Sequence, residues 1–158
     1  MEAIIIRNAI PAEKAALEAL QLRSSLANEG DREAILAHPD AIDLPLEQIT
    51  SGDVFVLELG GRIAGFAALL SRPDGDADLD GLFVEPDIRR RGVGRALVEH
   101  CAKIALGSGA RALHVIGNPH AEAFYLSCRF KAIGLYETRF GPGLLMRREL
   151  LPLVFRGE

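Results

Sequence analysis

Four arginines and two glycines fall within residues 89–95, as Arg89-Arg90-Arg91-Gly92-Val93-Gly94-Arg95, in a chain whose formal net charge is −4. Positive charge concentrated on an acidic background points to one local anion site, not to a surface that coats nucleic acid by neutralising phosphates. The apolar run Leu82-Phe83-Val84 precedes the cluster, Glu85-Pro86 ends that run, and Ala96-Leu97 opens a helical pattern. The context is therefore strand, loop, helix start. A helix amino terminus leaves backbone N–H groups without intrahelical partners and carries about half a positive charge, which makes it an anion site. Gly92 and Gly94 remove the Cβ atoms that would hold a pyrophosphate away from those amides, and the arginines balance its charge. A diphosphate ligand suits every part of this arrangement. A Walker loop would need G-x-x-x-x-G-K-[ST], and a dinucleotide fingerprint would need a small residue where Leu97 stands. The plainer alternative, a solvated helix start with glycines in a turn, leaves the strand-loop-helix context unexplained.

Other residue types capable of chemistry are sparse. The two cysteines, Cys101 and Cys128, lie in neither a CxxC nor a Cys/His metal spacing, so they read as ordinary buried thiols and no metal is expected. His38, His100, His114 and His120 are scattered, and His120 sits at a helix start, where capping or exposure is its expected role. Asp78 and Asp80 alternate with Leu79 and Gly81 on the strand leading to the arginine loop, so both acids should share a face with Leu82.

The elements that must position these groups follow from periodicity and turn chemistry. Residues 3–7 form a short apolar strand, and Pro11 opens a helix of about residues 11–27 that Asn28-Glu29-Gly30 stops. Residues 31–50 mix short helical pieces with Pro39 and Pro45, and read as a helix and loop laid over the domain. Residues 54–59 and 63–70 are strands joined by Gly60-Gly61, a pair able to adopt the positive φ angles of a two-residue hairpin. The turn Pro73-Asp74-Gly75-Asp76 leads to a third strand over residues 77–84. Val93, Ala96, Leu97, Cys101, Ile104 and Ala105 recur at helical spacing until Gly107 and Gly109. A strand over 112–116, a short helix over 121–128, and strands over 131–136 and 144–150 around the turn Gly141-Pro142-Gly143 complete the chain. The order β-α-α-β-β-β-α-β-α-β-β is that of a mixed α/β domain, and nothing in residues 1–158 divides it.

The pattern R-x-x-G-x-G, realised as Arg89, Gly92 and Gly94 after Leu82-Phe83-Val84-Glu85-Pro86, resembles the coenzyme A signature of the GNAT superfamily of N-acetyltransferases. The sequence Asn118-Pro119-His120-Ala121-Glu122-Ala123-Phe124-Tyr125, followed by Phe130, resembles that family's later motif N-x-x-A-x-x-F-Y. The element order extends the resemblance over nearly the whole chain. It implies a GNAT-like acyl-CoA N-acyltransferase fold and acetyl-CoA as cosubstrate. It implies that the amides of residues 90–95 (Arg90, Arg91, Gly92, Val93, Gly94, Arg95) hold the pyrophosphate, and that Leu82 and Val84, flanking Phe83, bond the pantetheine arm through their main chain. The sheet should splay at 82–84 and 115–116 to admit the thioester. Asn118 would contact the cofactor and the Tyr125 hydroxyl would lie near its sulfur. Attack by a neutral amine expels a thiolate of ordinary pKa about 8.5, which a positioned phenol can protonate. The alternative is a core tyrosine with its hydroxyl at the surface. One departure stands out: where the family commonly has glycine before the aromatic of this motif, the chain has Arg129, which must either take a left-handed conformation or end the helix differently.

A base is less defined. Asp80 is the candidate, with a solvated edge charge as the competing reading of it. The acceptor pocket is expected along residues 28–50, 71–77 and 136–143, where Asp40, Asp43, Glu47 and Glu137 could favour a cationic amine or be surface charges. The expected partner is a small-molecule or peptide amine, and not nucleic acid or membrane. With 49% hydrophobic and 25% charged residues, no apolar stretch of the roughly 20 residues that span a bilayer and no basic leader, the chain reads as cytoplasmic. The apolar tail over 150–155 would serve either packing or a homodimer contact. A non-catalytic acyl-CoA sensor is the competing functional class.

Overall fold

The computed structural model describes residues 3–28, 30–139 and 141–151. Its strands are β1 (Ile4–Asn8), β2 (Val54–Leu59), β3 (Arg62–Ser71), β4 (Ala77–Val84), β5 (Ala112–Gly117), β6 (Lys131–Thr138) and β7 (Gly141–Glu149), hydrogen-bonded in the order β1-β2-β3-β4-β5-β7-β6. The helices are α1 (Lys14–Ala27), α2 (Arg32–Ala37), α3 (Leu46–Thr50), α4 (Val93–Gly107) and α5 (Glu122–Ser127). Cα packing divides the chain into two units, one of residues 1–68 with 81–98 and one of residues 69–80 with 99–158.

In the first unit, β1 pairs antiparallel with β2 and β2 with β3. The hairpin between β2 and β3 turns on Gly60 and Gly61, at φ 60° and 82°, the positive angles that a two-residue turn demands. Val54 and Val56 of β2 with Phe66 and Ala68 of β3 pack beneath Leu17 and Leu20 of α1 and Ile49 of α3. Phe55 and Leu57, on the opposite face of β2, are buried as well, so the run 54–57 is apolar without alternation because both faces of the strand are covered there. Helix α1 begins one turn later than Pro11, since residues 11–13 form a 3-10 turn that Glu13 fastens by accepting the Ile10 N–H at 2.9 Å. Gly65 of β3 marks a close approach. A Cβ there would lie 2.8 Å from the Phe83 carbonyl oxygen, 3.1 Å from Val93 Cγ1 and 3.3 Å from Leu97 Cδ1. Only glycine lets these groups meet.

In the second unit, the parallel ladder between β4 and β5 comprises Ala77↔Leu113 and Asp78↔His114. The antiparallel ladder between β5 and β7 runs from Ala112↔Glu149 to Gly117↔Leu144. Asp76 fastens the turn before β4, accepting N–H groups from Arg111 and Ala112 at 3.2 Å each and lying 2.9 Å from His114 Nε2. The segment Gly141-Pro142-Gly143 corrects the expectation of a turn, for all three residues belong to β7 and pair with 136–138 of β6. The β5 ladder reaches β7 only at Leu144, so Pro142 gives up no bond on that side. Gly143 is there for close contact, since a Cβ would lie 2.6 Å from Ile116 Cγ2. Of the tail expected over 150–155, residues 152–155 lie outside the described residues. Among the described residues no helix is long and apolar enough to cross a membrane.

Candidate active site

The arginine-glycine loop follows a 3-10 turn over Pro86–Ile88 and leads directly into α4. Arg89 is extended at φ −63°, ψ 154°, Arg90 turns left-handed at φ 68°, and Gly92 turns left-handed again at φ 81°. Such reversals of handedness aim successive N–H groups into a concavity suited to an anion. The first intrahelical bond runs from Ala96 N–H to Gly92 O at 3.0 Å. The amides of Gly92, Val93, Gly94 and Arg95 therefore precede the first intrahelical donor and belong to the positive end of a 15-residue helix. A Cβ on Gly92 would meet nothing within 4 Å, so the space beside its Cα is open. The donor set fits a pyrophosphate. The four arginines differ from one another, however. Arg91 and Arg95 are exposed, whereas Arg89 sends Nη2 to the Ser24 carbonyl of α1 at 3.1 Å and fastens the loop.

Leu82, Phe83 and Val84 are half-buried at the end of β4. The Phe83 ring packs on Phe66 with centroids 5.3 Å apart. Beyond Val84, Glu85 is buried and held by two bonds from Arg23 of α1, Nε to Oε1 at 3.0 Å and Nη2 to Oε2 at 2.6 Å. The carboxylate raises the Arg23 pKa. The Glu85 backbone N–H donates to Ala64 O at 2.8 Å, so this end of β4 is tied both to β3 and to α1.

Asp80, Asn118 and Tyr125 belong to the second unit. Asp80 is exposed on β4 while its neighbour Leu79 is buried. Asn118 caps the turn before α5, its Oδ1 accepting the His120 N–H at 2.9 Å. His120 is exposed, in keeping with the capping or exposed role read from its position. Tyr125 is 8% exposed and sits edge-on between Phe124 and Phe130, with centroids 5.1 and 5.5 Å away. Its ring lies over Gly117, where a Cβ would come within 3.1 Å of Cε2. Arg129 takes the left-handed alternative, φ 70°, and helix α5 keeps its carboxyl end. Cys128 N–H and Phe130 N–H both reach the Tyr125 carbonyl at 3.0 Å.

Sequence reasoning missed three polar residues built into this framework: Glu85, Glu99 and Arg148. Arg148 carries a legible signal. It occupies the inward register of β7 with Leu144 and Met146, both buried, and buried Leu150 follows the strand, so an arginine there needs a partner. Glu85 and Glu99 lack one, since their partners come from distant parts of the chain.

The family model of the GNAT acetyltransferases matches residues 23–130. The chain belongs to the GNAT family. A curated relative from Salmonella typhimurium, the peptidyl-lysine N-acetyltransferase YjaB, is 37% identical over 60 residues, which is 38% of this chain and 40% of that protein. The aligned stretch thus spans well under half of the relative's length. A solved GCN5-related N-acetyltransferase from Rhodopseudomonas palustris superposes with a TM-score of 0.74 at 25% identity, covering 95% of this chain and 98% of that one. The PaiA N-acetyltransferase of Thermoplasma acidophilum, solved with coenzyme A, superposes with a TM-score of 0.73 at 18% identity over 93% and 99% of the two chains. The expected α/β fold with a mixed sheet is borne out by this GNAT chain and its neighbours. The general chemistry of the family is acetyl-CoA dependent acetyl transfer.

Proposed function

We propose that this GNAT chain is an N-acetyltransferase that moves an acetyl group from acetyl-CoA to a primary amine by direct attack in a ternary complex. The observation that carries the reading is the loop over 89–92, whose reversals at Arg90 and Gly92 deliver the open end of α4. The amides of residues 90–95 would receive the pyrophosphate. Leu82 and Val84 would bond the pantetheine arm through the main chain, and Asn118 would add a side-chain contact. The neutral amine nitrogen attacks the thioester carbonyl carbon, the C–S bond breaks, and the departing thiolate takes the Tyr125 phenolic proton. The proton that the acylated nitrogen sheds to solvent is balanced by one that solvent returns to the phenolate. The ammonium form of the acceptor first loses a proton to Asp80 or to solvent. Peptidyl lysine joins the acceptors worth testing because the YjaB relative is described as acting on it.

The test is release of coenzyme A thiol, with mass spectrometry of the product, across small polyamines, amino acids, aminoglycosides and lysine peptides. The expected result is acetylation of at least one amine, with Tyr125→Phe lowering kcat about 100-fold and leaving the KM for acetyl-CoA within about 2-fold. Binding of coenzyme A without acetylation of any amine, together with a silent Tyr125→Phe, would establish the non-catalytic sensor instead. Failure to bind coenzyme A would sink the phosphate-loop assignment itself.

A further inference from the structure

Three elements of the second unit meet at Glu99 of α4. Arg148 of β7 donates to it twice, Nη1 to Oε2 at 2.6 Å and Nη2 to Oε1 at 3.0 Å, and Arg129, just past α5, brings Nη2 to 3.4 Å from Oε1. Arg148 is 6% exposed, and its Nη1 also donates to the Cys128 carbonyl at 3.4 Å. Cys128 is the residue that closes α5, and its N–H, with that of Phe130, caps the Tyr125 carbonyl. One guanidinium therefore grips both the carboxylate of α4 and the last turn of the helix that carries Tyr125. Arg129, left-handed at φ 70°, lets the chain fold back for the Phe130 N–H to reach that carbonyl.

Burying an arginine in a strand register otherwise filled by leucine and methionine is a poor route to stability, since an apolar side chain of similar volume is often as stable or more so. What a bidentate ion pair adds is direction, because the planar fork accepts a carboxylate in one geometry. We propose that Arg148 and Glu99 are positioning residues for Tyr125: their ion pair, through the Cys128 carbonyl, fixes the carboxyl end of α5 and with it the orientation of the Tyr125 ring. The claim about catalysis rests on the reading of Tyr125 as general acid. The claim about the ring does not.

The experiment is a double-mutant cycle with an independent spectroscopic arm. Arg148→Met is expected to lower kcat about 10-fold with the KM for acetyl-CoA within about 2-fold, as befits a reacting group displaced by a fraction of an ångström. On the Tyr125→Phe background the same substitution should cost nothing further, and Arg148→Lys should recover part of the loss. An equal loss in both backgrounds, or a full kcat for Arg148→Met where Tyr125→Phe is costly, would overturn the proposal. In the second arm the chain's two tyrosines are replaced by 3-fluorotyrosine, with Tyr136→Phe assigning the signals. The Tyr125 fluorine resonance should shift and broaden in Arg148→Met and in Glu99→Gln. An unchanged resonance overturns the proposal whatever the kinetics give. If Tyr125→Phe leaves kcat intact, the general-acid reading alone fails and the fluorine spectrum decides the positioning role. Should Arg148→Met not fold, Arg148→Lys and Glu99→Gln carry the same two comparisons.

Discussion

At the scale of single residues, the two left-handed positions Arg90 and Arg129 bear on different parts of the site. An L-residue in this region costs roughly 1–2 kcal/mol relative to glycine, so each needs a structure that enforces it. At Arg90 the enforcing contact is the grip of Arg89 on the Ser24 carbonyl. At Arg129 it is the pair of N–H groups converging on the Tyr125 carbonyl. Gly92, at φ 81° in open space, allows a clean test. Gly92→Ala meets no steric obstacle beyond its own backbone, so unfolding should become easier by about 1 kcal/mol through the dihedral alone. Coenzyme A binding, followed by calorimetry, should weaken about 10-fold as the loop relaxes away from the conformation that presents its amides. An affinity unchanged by Gly92→Ala would mean that these amides do not receive the pyrophosphate. The arginine-glycine cluster was legible because charge and glycine coincide over seven consecutive letters. The division of labour among its arginines was not, because the partner of Arg89 lies in α1, 65 residues earlier.

At the scale of elements, β4 and α4 appear where the pattern placed them, because a turn cluster, an apolar run and a helical stripe follow one another without ambiguity. The strand β7 does not, and the reason is instructive: Gly-Pro-Gly has turn composition, yet Gly143 serves a close contact with Ile116 and Pro142 faces no partner across β5. Composition records which residues are small or rigid, whereas the neighbour that makes smallness necessary lies elsewhere in the chain. Gly65 poses the same problem inside a strand. Adding a methyl group there would press on the Phe83 carbonyl, Val93 and Leu97 together, two of them in the segment proposed to hold the donor. Gly65→Ala should cost about 1–3 kcal/mol as an overpacked contact. It should also weaken coenzyme A binding in excess of what a neutral surface substitution does, which thermal melts in the presence and absence of the ligand would reveal. A larger role for packing than for ligand geometry would appear as lost stability with the ligand-induced shift intact.

At the scale of the whole molecule, ion pairs recur in both units and set how the chain responds to acid. Hydrogen bonds from Arg7 and Lys14 hold the carboxyls of Glu13 and Glu18 below their ordinary range, and those from Arg72, His114 and Arg147 do the same for Asp74, Asp76 and Glu149. A carboxyl depressed in the folded state binds fewer protons than its unfolded counterpart, so stability rises with pH through that window. The contribution is complete above the unfolded values near 4 and is lost as pH falls through the depressed folded values. Denaturant midpoints should therefore be flat above about pH 5 and fall steadily below about pH 4. Asp76→Asn should shallow that slope, because it removes the carboxylate beside His114. Desolvation raises Asp53, which works in the opposite sense and takes a little from the same slope. One further property follows from the two cysteines, both 0% exposed, with burial pushing the Cys101 thiol up to about 12. A thiolate is the species that reacts with disulfide reagents, so the native chain should be silent to them. Colorimetric titration should find no reactive protein sulfur until the chain unfolds, and then two per molecule. The molecule thus carries its own blank: colour developed during turnover would count released coenzyme A, and colour developed from protein alone would count unfolded chains.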